Sequence, residues 1–394
     1  MEKSNTGLTI YVFLTLVWEL LDYIIVSNSV LSLFRLIIFA WSFLFFIETL
    51  FNKNTLPIIK ALIIFYSLLA IYGIIVVVEG KTFIVGLKDS HIVVTLSYIV
   101  KVSWSLLPIF VFYQYGRKGI LTRSFFQKWI NVFIIAATIC YYMTKKMSMI
   151  KNGTDDSTNN GGYIVLSIVP MLLFLETRSI KQYILLGYCL VLILLSMKRG
   201  AILIAIMITG IYFLFLFKNA QKTTKLGIII ALVIGLLGCF FIFDRMISNS
   251  DHFNQRIDDT LEGDTNGREF IQGFFISYYF FEASTKEQIL GGGANRTLEL
   301  LNMYAHCDWI ELLINQGLLG VCVYILFWIR FACVLFKKNI PPIEKIVLVM
   351  IFCIYFMRTI FSMSYSEYNL FSSMAFGYSL GFMKCCDFGE EKTC

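Results

Sequence analysis

Charge is what this chain has least of. Only 15% of its 394 residues are charged, against about 25% in a typical soluble protein. Apolar residues reach 58% and mean hydropathy is +0.75. A core cannot hide that excess, because the buried fraction of a folded chain rises only slowly with length. A soluble enzyme and a disordered chain are both excluded. Histidine is scarce too, at three residues. His252, His306 and Cys307 have no zinc-ligand spacing, so no metal site is expected. The carboxylate pairs Asp155-Asp156 and Asp258-Asp259 lie in polar loops and read as solvated turns rather than a magnesium site. The 10 cysteines are scattered, mostly in apolar runs such as those around Cys140 and Cys239, where the thiol acts as a small hydrophobe. Internal repeats, low-complexity linkers and an appended soluble domain are all lacking. The N-terminus has no cleavage-site pattern, so its apolar segment is expected to be retained.

What is present is a series of long apolar runs. A helix needs about 20 apolar residues to cross a ~30 Å hydrocarbon core, and inside lipid the backbone must satisfy its own hydrogen bonds. Twelve such runs lie near 8–28, 30–51, 56–78, 91–115, 129–148, 161–176, 182–197, 200–217, 226–243, 309–336, 343–361 and 368–384. They predict an all-α polytopic membrane protein of about 12 spans, in one membrane domain over residues 1–394. Basic residues of short loops should mark the cytoplasm. Seventeen of the 33 basic residues fall on one side of this arrangement and eight in short loops of the other, Lys198, Arg199 and Arg358 among the eight. Both termini are thereby expected in the cytoplasm. The net charge of +7 reads as an orientation signal, not as affinity for nucleic acid.

This orientation puts the one long polar stretch, 244–308 between the ninth and tenth runs, outside the cytoplasm. Within it, 269–283 (EFIQGFFISYYFFEA) is amphipathic and aromatic and predicts an interfacial helix. It serves either as an anchor or as the wall of a lipid-facing entrance. Gly291-Gly292-Gly293 serve either as a turn or as backbone placed beside a ligand; no Lys-Ser/Thr follows, so they are not a P-loop. His306 and Asp308 fall at the mouth of the tenth helix, with Glu311 one turn in. Arg199, Arg268 and Arg296 lie on the same side, and Arg245 and Arg256 flank the start of the loop. Arginine at a membrane surface can simply snorkel, but several converging would suit a phosphate or diphosphate, which the guanidinium fork binds bidentately.

Four segments in this order resemble the O-antigen polymerase and ligase family of bacterial membrane glycosyltransferases. They are NNGGYIVLSIVPMLLF at 159–174, Ser196-Met197-Lys198-Arg199-Gly200-Ala201, Asn266-Gly267-Arg268 with the later Gly triplet, and His306-Cys307-Asp308-Trp309-Ile310-Glu311 leading to Gly317-Leu318-Leu319-Gly320. The likeness covers mainly 150–330, and Cys307 stands where the family usually has Asn. The resemblance implies a metal-independent enzyme without cofactor in the bacterial cytoplasmic membrane. Its substrates would be undecaprenyl-diphosphate-linked glycans, joined outside the cytoplasm into a surface polysaccharide such as O-antigen or capsule. Membrane lipids and a chain-length regulator would be its other partners. His306, Arg268 and Arg199 would be catalytic, with Arg296, Asp308, Glu311, Gly292 and Gly293 binding substrate and Asp308 or Glu311 orienting the imidazole. Ligase-type transfer to another acceptor is the alternative. A lipid-linked oligosaccharide flippase is the alternative from another class, although no repeat relates the halves as in many transporters.

Overall fold

Apolar runs free of breakers close their backbone hydrogen bonds as helices, and the described residues are helical almost throughout. The computed structural model describes residues 6–21, 29–81, 83–85, 92–94, 97–152, 159–175, 179–249, 267–338 and 340–387. Helices α1 (Thr6–Leu21), α2 (Ser29–Leu50) and α3 (Pro57–Val78) come first. A small antiparallel hairpin follows, β1 (Phe83–Val85) on β2 (Ile92–Val94), with Phe83 opposite Val94. Next are α4 (Ser97–Arg117), α5 (Arg123–Asn152), α6 (Gly161–Leu166), a 3-10 helix (Val169–Phe174), α7 (Ile180–Leu195), α8 (Arg199–Lys218) and α9 (Lys222–Asn249). The polar stretch contributes α10 (Arg268–Ser277) with a π-helical turn (Tyr278–Glu282), α11 (Thr285–Leu290) and α12 (Arg296–Leu301). The long α13 (Asp308–Leu335), α14 (Pro342–Phe361) and α15 (Leu370–Asp387) complete the chain.

Among the described residues, α3, α5, α8 and α13 are long and apolar enough to cross a membrane. Each of the twelve expected runs carries helix; residues 22–28 of the first lie outside the described residues, α5 begins six residues before its run, and others differ in extent. The run at 91–115 begins as strand β2, and its helix starts only at Ser97. The run at 161–176 is broken into α6 and the 3-10 helix, with Pro170 in the first turn of the latter. Proline lacks the N–H that would continue α6. Helix α9 continues to Asn249, so the stretch expected to be loop from 244 opens in helix.

Small residues set the tightest packing. Gly377 and Gly381, one turn apart on α15, press against the Ile109 and Tyr113 carbonyls of α4, and a Cβ at either would overlap that backbone. Close helix approach of this kind favours small residues four apart. Phe65 of α3 stacks on Tyr324 of α13 with centroids 4.9 Å apart. Outward-facing positions such as Leu44, Ile74 and Val78 are apolar and exposed.

The starts of α5 and α14 are tied by an ion pair. Arg123 donates from Nε and Nη2 to the two carboxylate oxygens of Glu344 at 2.7 and 2.6 Å, and Glu344 is fully buried. Arg123→Ala would leave that carboxylate buried without its cation, at a cost of about 3 kcal/mol. The expected result is a clear fall in thermal midpoint in detergent. An unchanged midpoint would show that the tie contributes nothing net.

Candidate functional site

The part of the polar stretch from Arg268 to Leu301 folds onto the start of α13. Gly267 takes a left-handed φ of 75° and turns the chain into α10. That helix is amphipathic, as the sequence predicts. Ile271 and Phe275 face inward, while Phe270 is 71% and Phe281 of the π-helical turn 85% exposed. Arg296 closes the segment on itself. It donates to Glu299 (2.6 Å), Glu287 (3.2 Å) and the Tyr278 hydroxyl (2.9 Å), and its side chain lies over Gly292. Its guanidinium thus braces α10, α11 and α12 against one another.

The glycine triplet docks on a break in α13. Gly317 has φ 65° and ψ −164°, which interrupts the helix ladder. The freed carbonyls of Ile314 and Asn315 accept from the N–H groups of Gly292 and Gly293, both at 3.0 Å. Of the two readings of the triplet, turn or ligand backbone, these bonds favour the turn: both N–H groups are engaged within the protein.

The two acidic residues of α13 are likewise engaged. Buried Asp308 accepts from the Tyr324 hydroxyl (2.6 Å) and the backbone N–H groups of Ser364 (2.6 Å) and Tyr365 (3.3 Å). Buried Glu311 accepts from Thr297 (2.6 Å), Asn315 (2.8 Å) and the Ala305 N–H (2.8 Å). The expectation that either orients the imidazole gives way to a different role. Asp308 clamps the 364–365 backbone, and Glu311 fixes the chain immediately before His306.

His306 itself is half-buried and left-handed, with φ 54°. Among the described residues four non-glycines have positive φ: Met197, Asn295, Asn302 and His306. All four lie in the 196–199 turn or in the 291–307 segment. Strain collected in this way commonly marks a working site. Burial pushes the His306 imidazole below its ordinary range, and the positive charges of Arg268, Lys198 and Lys101 act in the same direction. Glu367 opposes them. At neutral pH the ring is therefore uncharged and able to accept a proton. His306, Arg268 and Lys198 belong to one electropositive neighbourhood, and Arg199 follows Lys198 as the first residue of α8. Lys101, 5.2 Å above the ring of Tyr304, completes the neighbourhood.

The 159–162 and 196–199 motifs also touch. The Asn159 N–H donates to the Ser196 carbonyl at 2.9 Å, and a Cβ on Gly162 would overlap Ser196 Oγ. Asn159 Nδ2 donates to the Tyr141 carbonyl at 2.9 Å, so the motif is pinned to α5 as well.

A cavity of about 250 Å³ opens beside this cluster. Trp18 and Glu19 come from the end of α1, Thr144 from the end of α5 and Arg358 from the end of α14. Trp104 comes from the start of α4, and Asn160 and Tyr163 from the start of α6. Helices that end here and helices that begin here thus meet at one end of the bundle. Arg358 pairs with Glu367 and lies 4.4 Å over the ring of Tyr163. Sequence reading counts Arg358 only as a basic residue of a short loop. It lies near the end of a helix, and only its burial sets it apart.

No known protein family matches the chain, and no curated protein matches it. Among the described residues no three His, Cys, Asp or Glu side chains gather as a metal site. His252, Arg256, Asp155-Asp156 and Asp258-Asp259 lie outside the described residues. Arg245 is on α9, with its guanidinium 5.6 Å over the ring of Phe241.

Proposed function

We propose that the protein is a membrane glycosyltransferase that joins polyprenyl-diphosphate-linked repeat units of a surface polysaccharide outside the cytoplasm. The observation that carries this reading is the half-buried imidazole of His306 set among Arg268, Lys198 and Lys101 at one end of a helical bundle. A leaving diphosphate needs fixed positive charge where its own charge develops. An acceptor hydroxyl needs a base with a pKa near the working pH. This neighbourhood offers both.

In this reading the acceptor oxygen attacks the anomeric carbon of the donor, and its proton passes to His306 Nε2 or Nδ1. The bond from the anomeric carbon to the phosphate oxygen breaks, and polyprenyl diphosphate departs against Arg268 and Arg199. Glu311 acts as a positioning residue through Ala305. The charge bias supports twelve spans with both termini in the cytoplasm. All the elements that gather at the cavity and at His306 then have their meeting ends on the outer face, where lipid-linked repeats are polymerised. The membrane is the bacterial cytoplasmic membrane, and the lipid tail lies among the helices.

The test is elongation of a defined lipid-linked donor by the purified protein, read as glycan chain length. His306→Ala and Arg268→Ala, at equal protein level, are each expected to abolish long chains. Wild-type product from both variants would sink the assignment. Elongation is also expected to persist in excess EDTA, because the arginines carry the diphosphate charge. Activity lost in EDTA and restored by magnesium would overturn that point. A deletion strain is expected to accumulate single lipid-linked repeats. Accumulation of full-length lipid-linked polymer would instead indicate a ligase, and transport without bond formation a flippase.

A further inference from the structure

The cavity beside Arg358 has two kinds of wall. Trp18 and Trp104 meet edge to face with centroids 5.5 Å apart and supply apolar surface. Asn160, Ser366, Glu367 and Arg358 supply polar groups. Among the described residues, three that line it keep a polar atom with no hydrogen bond: Arg358 Nε, Ser366 Oγ and Tyr368 Oη. These residues are only 2%, 7% and 5% exposed. A buried polar atom left without a partner is costly. Three beside one cavity therefore point to a polar occupant.

Charge narrows the kind of occupant. Arg358 is already paired with Glu367, and Glu19 accepts from the Leu370 N–H at 3.1 Å. The lining holds two carboxylates against one guanidinium, which disfavours a phosphate or another carboxylate. A neutral molecule with many hydroxyls and an apolar face fits both walls. The volume lies just below the ~300–1,000 Å³ of drug-sized ligand sites, which suits a single ring rather than a lipid. We propose that this cavity is a carbohydrate subsite. It takes one sugar ring, with the C–H face on Trp104, which Trp18 backs, and the hydroxyls on Arg358, Ser366 and Tyr368. Sites built to hydrogen-bond a hydroxyl discriminate strongly against analogues that lack it, so the subsite would also select which sugar is accepted. Glu367 borders the cavity, and its charge also favours the protonated form of His306. That the ring belongs to the acceptor of glycan transfer rests on the function proposed above; that the cavity holds a sugar does not.

The test is saturation-transfer NMR on the full chain in lipid nanodiscs. The probes are the methyl glycosides of glucose, galactose, N-acetylglucosamine and rhamnose, with inorganic phosphate as competitor. At least one glycoside is expected to bind, and phosphate is expected not to displace it. Ser366→Ala changes little in shape and is expected to weaken binding about tenfold, the equivalent of one good hydrogen bond. Trp104→Ala is expected to abolish it and Trp104→Phe to retain it. Should Trp104→Ala fail to fold, Ser366→Ala decides. Binding by none of the four, displacement by phosphate, or binding unaltered in Ser366→Ala would overturn the proposal. The elongation assay separates the two readings. Glycoside binding by a wild-type chain that elongates no lipid-linked donor would remove the transferase reading and leave the subsite standing.

Discussion

Replacing His306 with Ala is expected to lower glycan transfer by about 10²–10⁴-fold, the usual contribution of a positioned general base. The residue sits at φ 54°, where Ala pays for a left-handed backbone and Asn tolerates it far better. His306→Asn therefore removes the base while leaving the chain path in place, and it is expected to be as inactive as His306→Ala. A fully active Asn variant would show that the imidazole does no proton chemistry. Retained activity in Asn with loss in Ala would reduce His306 to a backbone role.

The pH profile provides an independent measure. Burial, Arg268, Lys198 and Lys101 all depress the proton affinity of His306, and only Glu367 raises it. The active, unprotonated ring thus survives below its ordinary range near 6.5. Transfer should fall on the acid side with an apparent pKa below that of free imidazole. Arg268→Gln removes one of the depressing charges. Beyond any loss of rate, its residual activity should show the acid limb moved upward. A limb that moves downward, or stays put, would place Arg268 too far from the ring to act on it.

Much of this arrangement is visible in the sequence, and the reasons differ by element. Apolar runs become helices because lipid and core alike leave the backbone no other partner, so every expected run carries helix. Breaks within runs are less visible. The split between α6 and the 3-10 helix turns on Pro170, a single residue inside an otherwise apolar stretch. Arg268 and His306 stand out because charge and histidine are rare here. Arg358 does not. It is one basic residue at a helix end, and its partners Glu367 and Tyr163 are known only once α6 and the turn after α14 have packed against it. The glycine triplet is read from sequence as a turn or a ligand cradle. Its use depends on a helix break more than twenty residues downstream, which no local pattern announces.

That break yields the largest structural effect. Gly317→Ala is expected to detach the whole 289–306 segment from α13. The φ and ψ of Gly317, 65° and −164°, lie in a region open essentially to glycine alone. A Cβ there would also run into the Gly291 N–H and the Ile289 carbonyl. Both penalties fall on the surface where the Ile314 and Asn315 carbonyls receive Gly292 and Gly293. Straightening the helix would relieve the clash but would leave those two N–H groups without acceptors. Either outcome costs at least about 3 kcal/mol, and it also releases the chain that carries His306. Gly273→Ala in α10 is the matched control: nothing lies within 4 Å of its Cβ, and the change should stay within about 1 kcal/mol. Limited proteolysis should cut Gly317→Ala between 284 and 306 while sparing Gly273→Ala. Transfer should be lost although the helices of the bundle persist by circular dichroism. A Gly317→Ala protein with wild-type cleavage and melting would mean that α13 does not need its break, and that His306 is held by Glu311 alone.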